Sequence, residues 1–168
     1  MPAILLTVLI AFVVLLTGGA APVLARTVGS ETGLPIPRYV TLRTAEANMR
    51  SGPGVRYPVQ WVFLRRNLPV EVIAEFDNWR KIRGHENTEG WVHQSMLSGR
   101  RTVVVIGPVR TLRREPTDST PAVARMEAGV IGWLEECRPQ WCEVEVSGIT
   151  GWVHRAHIWG VRETEALE

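Results

Sequence analysis

"WRKIRGHENTEGWVH", residues 79–93, and "WCEVEVSGITGWVH", residues 141–154, each open on a tryptophan and close on Gly-Trp-Val-His. The spacing between the two tryptophans is twelve residues in the first and eleven in the second, so the chain carries an internal repeat. Upstream, "NMRSGPG" (48–54) precedes Trp79 by about the distance that "TLRREPTD" (111–118) precedes Trp141. The chain beyond its N-terminal segment therefore divides into two units of roughly sixty residues. Units of that size bury little core alone and depend on closure, mutual packing or a covalent staple.

Both units have the pattern of β-strands. In "PVEVIAEF", Val70, Val72, Ala74 and Phe76 alternate with Glu71, Ile73 and Glu75, the period of two expected of a half-buried strand. Val59, Trp61 and Phe63 alternate in the same way, and "TVVVI", "GVIGWLEE" and "CEVEV" are further short β-rich runs. Turn signals separate them: Asn-Leu-Pro, Asp-Asn, Pro-Gln and Ser-Gly, at the spacing of small all-β barrels. "HQSML" and "HRAHI" each suit a single helical turn, and no long amphipathic helix follows residue 25.

The first 25 residues carry no charge, and their apolar run from Ala3 to Leu16 has the length of a secretory h-region. Gly18, Gly19 and Pro22 interrupt it, and Val23, Leu24 and Ala25 supply small residues where a signal peptidase cuts, which predicts cleavage after Ala25. The absence of a basic n-region leaves an uncleaved single-pass anchor facing the periplasm as the alternative. Either way, the rest of the chain is expected outside the cytoplasm, in the periplasm. The expected organisation is a signal segment over 1–25, a flexible leader over 26–37, a first domain over 38–100, a second over 101–162, and a tail over 163–168.

Charge excludes one class of partner. Nineteen basic residues, only Lys81 of them a lysine, face seventeen acidic ones for a net +2, far from the basic balance of a nucleic-acid binder. Residues 38–100 hold ten basic and six acidic residues, a balance of +4, and residues 101–168 hold eight against ten, −2.

Asn48-x-Arg50-x-Gly52-Pro53, an apolar strand, Trp79-x-x-Ile82 and Gly90-Trp91-Val92 together resemble the bacterial SH3-like (SH3b) domain, in its tandem, secreted Gram-negative form. The resemblance covers most of residues 38–160. In the second unit Arg113 stands for Arg50, without the asparagine and the glycine pair. It implies an all-β fold: two tandem, partly open barrels of five or six strands each, following the N-terminal signal helix. It implies binding rather than catalysis, because members of the family are commonly appended to cell-wall enzymes or recognise peptidoglycan peptides or protein partners. The expected function is a non-catalytic module recognising peptidoglycan, stem peptide or glycan, with a periplasmic adaptor binding a partner's peptide segment as the alternative.

Strand parity places the candidate site. If Ile82 faces the core, Trp79 shares the opposite face with Lys81 and Arg83; if Val144 and Val146 face in, Trp141 shares its face with Glu143 and Glu145. In Gly-Trp-Val-His, Val92 and Val153 are expected inside and Trp91, His93, Trp152 and His154 outside. Two outward aromatics per unit beside a glycine-proline loop would make a ledge for extended peptides or sugars; the competing structural role is capping the barrels or packing between them. "EANMRSGPGVRYP", residues 46–58, supplies that loop, with Asn48 and Arg50 at a strand end, a Gly-Pro-Gly reversal, and Tyr57 leading back into the next strand. The candidate ligand-binding set is Asn48, Arg50, Tyr57, Trp79, Trp91 and His93. Arg50 has two readings: a bidentate partner for a carboxylate, or a tie to the carbonyls of its own loop.

Cys137 and Cys142 flank a hairpin-sized "RPQW", and in an exported chain they are expected to form a disulfide contributing about 2 kcal/mol. With His154 and His157 they also approximate a zinc spacing, but the counterpart His93 has no cysteines near it, so no metal and no cofactor is expected. The chain has no Gly-x-Ser-x-Gly elbow, no His-Glu-x-x-His and no phosphate loop. His85-Glu86 falls in a polar turn. No enzyme is expected.

Overall fold

A computed structural model describes residues 27–167. The signal-segment reading, with cleavage after Ala25, falls on residues outside that range.

The described residues form two seven-stranded antiparallel sheets and two single-turn 3-10 helices, an all-β fold. The first sheet contains β1 (Arg38–Leu42), β2 (Ala47–Arg50), β3 (Val59–Phe63), β4 (Pro69–Phe76), β5 (Trp79–Arg83), β6 (Glu89–His93) and β7 (Leu97–Ser98). The second contains β8 (Thr102–Val105), β9 (Arg110–Arg113), β10 (Ala122–Met126), β11 (Ile131–Cys137), β12 (Trp141–Val146), β13 (Ile149–His154) and β14 (Ile158–Trp159). Strand order is β3-β2-β6-β5-β4-β1-β7 in one and β10-β9-β13-β12-β11-β8-β14 in the other, the same path run twice. Each unit therefore has more strands than the five or six expected, with a two-residue strand completing each sheet. The helical turns fall at Gln94–Met96 and Arg155–His157, where "HQSML" and "HRAHI" placed them.

Local chemistry explains the turns. Asn67, Asp77, Ser147 and Gly148 all take positive φ, which is tolerated best by Asn, Asp and Gly, and they sit at the breaks the sequence marked. Each unit closes over its own aliphatic cluster: Leu42, Met49, Val70, Val72, Ile82 and Val92 in the first, Val103, Leu112, Leu134, Val144, Val153 and Ile158 in the second.

One expectation fails, with a definite cause. Register runs Val72↔Ile82 and then Ala74↔Lys81, so Ile73 is an extra residue in β4. A bulge of one residue reverses the side-chain parity beyond it. Val72 stays in the core, but Ala74 and Phe76 turn outward, and Phe76 is 57 % exposed. Glu75, expected on the solvent face, turns inward until its side chain has no exposed surface. A buried carboxylate requires partners. Arg38 Nη2 lies 2.7 Å from its Oε1 and the buried Arg80 Nε 3.5 Å away. The amides of Glu31 and Thr32 donate to Oε2 at 3.0 and 2.9 Å, and Thr32 Oγ1 donates to Oε1 at 2.7 Å.

Those bonds also correct the flexible-leader expectation. Residues 28–35 form a turn closed by a Val28↔Pro35 bridge and held on Glu75. At the other end, residues 163–167 fold back onto the second unit: Arg101 pairs with Glu165 at 2.6 Å, and Leu167 exchanges backbone hydrogen bonds with Cys137.

β11 carries the matching bulge. Register runs Leu134↔Val144, then Glu136↔Glu143 and Cys137↔Cys142. The inward pair beyond the bulge is Glu75↔Arg80 in the first unit and Cys137↔Cys142 in the second. The two cysteines form a disulfide.

The units meet along β1 and β8. The Thr41 and Thr102 hydroxyls, both buried, lie 2.8 Å apart, and Thr102 Oγ1 also donates to the Asn67 carbonyl at 2.8 Å. Tyr39 meets Trp159 edge-on at 5.0 Å. Gly160, at φ +119°, passes so close to the Thr102 carbonyl that a Cβ there would lie 2.6 Å from it.

Candidate functional site

β2, β6 and β5 are neighbours in the first sheet, and their register assembles one outer face. Arg50 stands opposite Trp91, and Trp91 opposite Lys81; in the adjacent row His93 stands opposite Trp79, and Trp79 opposite Phe76. The alternating residues Met49, Val92, Arg80 and Ile82 are buried, so the parity argument holds for these strands. Asn48, Arg50, Trp79, Trp91 and His93, expected at the site, thus share a face and are all half-buried. Gly90 makes the assembly possible: a Cβ there would lie 2.6 Å from Met49 Cγ and 2.9 Å from the Arg50 carbonyl, so only glycine lets β6 come this close to β2.

The glycine-proline loop is attached through Arg50. Its Nη1 donates to the carbonyls of Tyr57 at 2.7 Å and Val55 at 3.1 Å, the loop-tying role. The ring of Tyr57 lies across Gly52, where a Cβ would sit 2.5 Å from ring carbon Cδ1. Tyr57 is therefore joined to the site by its carbonyl, while its ring forms the loop's own packing. Trp79 and His93 meet edge-on at 5.5 Å, and His93 Nδ1 lies 2.7 Å from Ser95 Oγ, which fixes the imidazole at the start of the 3-10 turn. Lys81 Nζ lies 2.9 Å from Glu89 Oε2, and hydrogen bonds from Lys81 and then Arg83 lower the Glu89 carboxyl below its ordinary range. The face is consequently aromatic, with Lys81 neutralised by Glu89 and the Arg50 guanidinium as a cation bonded to loop carbonyls.

Phe76 was missed. Its parity in the sequence pointed inward, and only the bulge at Ile73 brings it beside Trp79. Trp61 is the other omission as an exposed aromatic: 47 % of it is open on β3.

In the second unit the same places are filled differently. Arg113 stands opposite Trp152, and Trp152 opposite Glu143; Trp141 stands opposite His154. Arg113 repeats the loop tie, with Nη1 donating to the Thr120 carbonyl at 2.8 Å. Gly151 repeats Gly90, 2.7 Å from the Arg113 carbonyl if a Cβ were added. The expectation that Trp141 and Trp152 would be partly exposed is corrected: they are 9 % and 6 % exposed. Neither enters the aliphatic core. They lie on the predicted face but are covered from outside, Trp152 by the Arg138 guanidinium at 4.6 Å. Trp141 is covered around a cavity of about 150 Å³ lined by Val109, Arg110, Arg113, Asp118, His154 and His157. Burial, then the charges of Arg110 and His154, lower the His157 pKa. The disulfide occupies both sulfurs of the zinc spacing.

Larger clefts, of about 760 and 570 Å³, lie where the units meet, around Tyr39 and Arg162, and none of the six expected site residues lines them.

A family model described as bacterial SH3 domain matches residues 43–99 and again 108–160. No curated protein matches the chain. Among solved structures, NlpC2 from Trichomonas vaginalis is similar with a TM-score of 0.34 at 10 % identity, over 73 % of this chain and 48 % of that one. NlpC1 from the same organism is similar with a TM-score of 0.34 at 11 % identity, over 83 % and 50 %. The chain spans about half the length of each of these proteins.

Proposed function

The chain belongs to the bacterial SH3 domain family, in tandem, and from that premise we propose that it is an exported, non-catalytic module that recognises cell-wall peptidoglycan through the outer face of its first unit. The observation that carries the proposal is the shared register of β2, β6 and β5, which lays Trp91 and Trp79 side by side with Arg50, Lys81 and His93 around them. Indole faces suit the apolar side of a sugar ring or an extended peptide, and the Arg50 guanidinium suits a carboxylate of a stem peptide. Asn48 supplies an amide at the end of the same strand, and Tyr57 borders the face through its loop. The second unit, with both corresponding tryptophans covered, acts as a partner for the first rather than as an equal binding site.

Co-sedimentation of the full chain with purified peptidoglycan tests the proposal. Retention is expected, with a loss of tenfold or more for Trp91→Ala and Trp79→Ala when near-UV circular dichroism shows the fold intact. Retention unaltered by both substitutions would discard the aromatic face, and no retention of the parent chain would discard the ligand.

A further inference from the structure

Half of the exposed large hydrophobic side chains among the described residues crowd into ten positions: Val55, Val59, Trp61, Val62 and Leu64, five of ten. Three of these lie on β3, the edge of the first sheet. β3 pairs with β2 alone, and no other backbone hydrogen bond among the described residues reaches residues 59–64. An edge strand that is open and apolar is a template for another strand unless charge, proline or a bulge protects it. The bulge at Gln60, between Met49↔Trp61 and Arg50↔Val59, leaves Trp61, Val62 and Phe63 in regular pairing beyond it.

The second unit shows what a protected edge looks like on the same topology. The register partners of β10 place Ala122, Ala124 and Arg125 at the positions of Val59, Trp61 and Val62. Two large apolar groups have become alanines and the third an arginine, one of the protections natural edges use.

Charge identifies the occupant. Between Glu46 and Glu71 there is no acidic residue, while Arg50, Arg56, Arg65 and Arg66 fall in that interval. Arg56 lies ahead of β3 and Arg65 and Arg66 just after it, all three exposed, and none pairs with a carboxylate among the described residues. A second copy of the chain is disfavoured, because antiparallel β3–β3 pairing would set Arg56 against Arg65 and Arg66 of the other copy. We propose that β3 is a docking edge for an extended acidic polypeptide segment, which adds a strand beside Val59–Phe63, covers Trp61 and Val62, and sets carboxylates against the flanking arginines. This edge adjoins the aromatic face, since Val62 stands opposite Asn48 and Val59 opposite Arg50, but the proposal does not rest on peptidoglycan recognition.

The test uses the full chain and two synthetic ten-residue peptides of alternating threonine and valine, one with two glutamates at each end and the other with lysines there. Fluorescence anisotropy reads binding, and hydrogen exchange read by mass spectrometry locates it. The glutamate peptide is expected to bind saturably, weaken at least tenfold in Arg65→Glu/Arg66→Glu and in 1 M salt, and slow exchange in residues 59–64 but not 122–126. Val62→Lys, at an exposed position, should reduce binding likewise with the fold unchanged. Equal binding of the lysine peptide, protection away from β3, or no saturable binding would overturn the proposal. So would a dimer in sedimentation velocity whose β3 is protected without peptide, since that assigns the edge to a second copy.

Discussion

Trp91 and Trp152 occupy the same register position in two sheets of the same strand order, yet Trp91 stays half open while Trp152 lies under the Arg138 guanidinium. The difference comes from single residues. Opposite Trp79, beyond the bulge, the first unit has Phe76; at the corresponding place, beside Trp141, the second has Arg138, whose guanidinium folds over Trp152. Opposite the central tryptophan the first unit has Lys81 and the second Glu143. Topology thus fixes where a side chain stands, and its neighbours decide whether a ligand can reach it.

Trp152→Ala should cost the second unit about 4 kcal/mol, because a packed indole is lost, whereas Trp91→Ala should cost the first about 1 kcal/mol or less; urea unfolding of both variants measures the contrast. Equal losses would mean that the two faces are equally structural.

Glu75→Gln is expected to cost the first unit about 3 kcal/mol, as it leaves Arg38 and Arg80 without their buried carboxylate. Burial opposes ionisation of Glu75, but the hydrogen bonds from Thr32 and Arg38 outweigh it and hold the carboxyl at about 2. A depressed carboxyl stabilises the fold above its unfolded pKa and ceases to do so as pH falls through the folded value. Acid titration should therefore release the 28–35 turn between about pH 4.5 and pH 2. Hydrogen exchange of Glu31 and Thr32 follows the step, and Glu75→Gln should abolish it.

Replacing Cys137 and Cys142 by alanine should cost the second unit about 2 kcal/mol and leave the first unchanged; differential scanning calorimetry resolves whether the loss is confined to one unit. The smallest effect sharpens the picture of the loops. Arg50→Lys keeps the charge but not the planar fork that reaches the Tyr57 and Val55 carbonyls, and should cost about 1 kcal/mol. Arg113→Lys should behave the same way in urea unfolding if the two ties are equivalent.

Much of this was legible in the sequence. The Gly-Trp-Val-His pairs revealed the duplication, the aliphatic alternation located most strands, and the spacing of Cys137 and Cys142 led to their bond. Parity also placed Trp79, Trp91 and His93 on one face correctly. It failed at Glu75 and Phe76, because a bulge leaves no trace in an alternating run such as Val72-Ile73-Ala74. The cover on Trp141 was hidden for another reason: it comes from residues distant along the chain, among them Arg110 and Asp118, and strand periodicity carries no information about them. The docked N-terminal turn was equally out of reach, since its anchor is the carboxylate whose orientation the bulge reversed.

The paired bulges give the two halves different vulnerabilities. Beyond each one, an inward couple secures an end of the described chain: Glu75 grips the turn at Thr32, and Cys137 clasps Leu167. Acid near pH 2 would accordingly offer an acid-active protease the amino-terminal flank, and a reductant the carboxyl-terminal one, so the order of cuts in limited proteolysis would report which chemical stress the molecule had met.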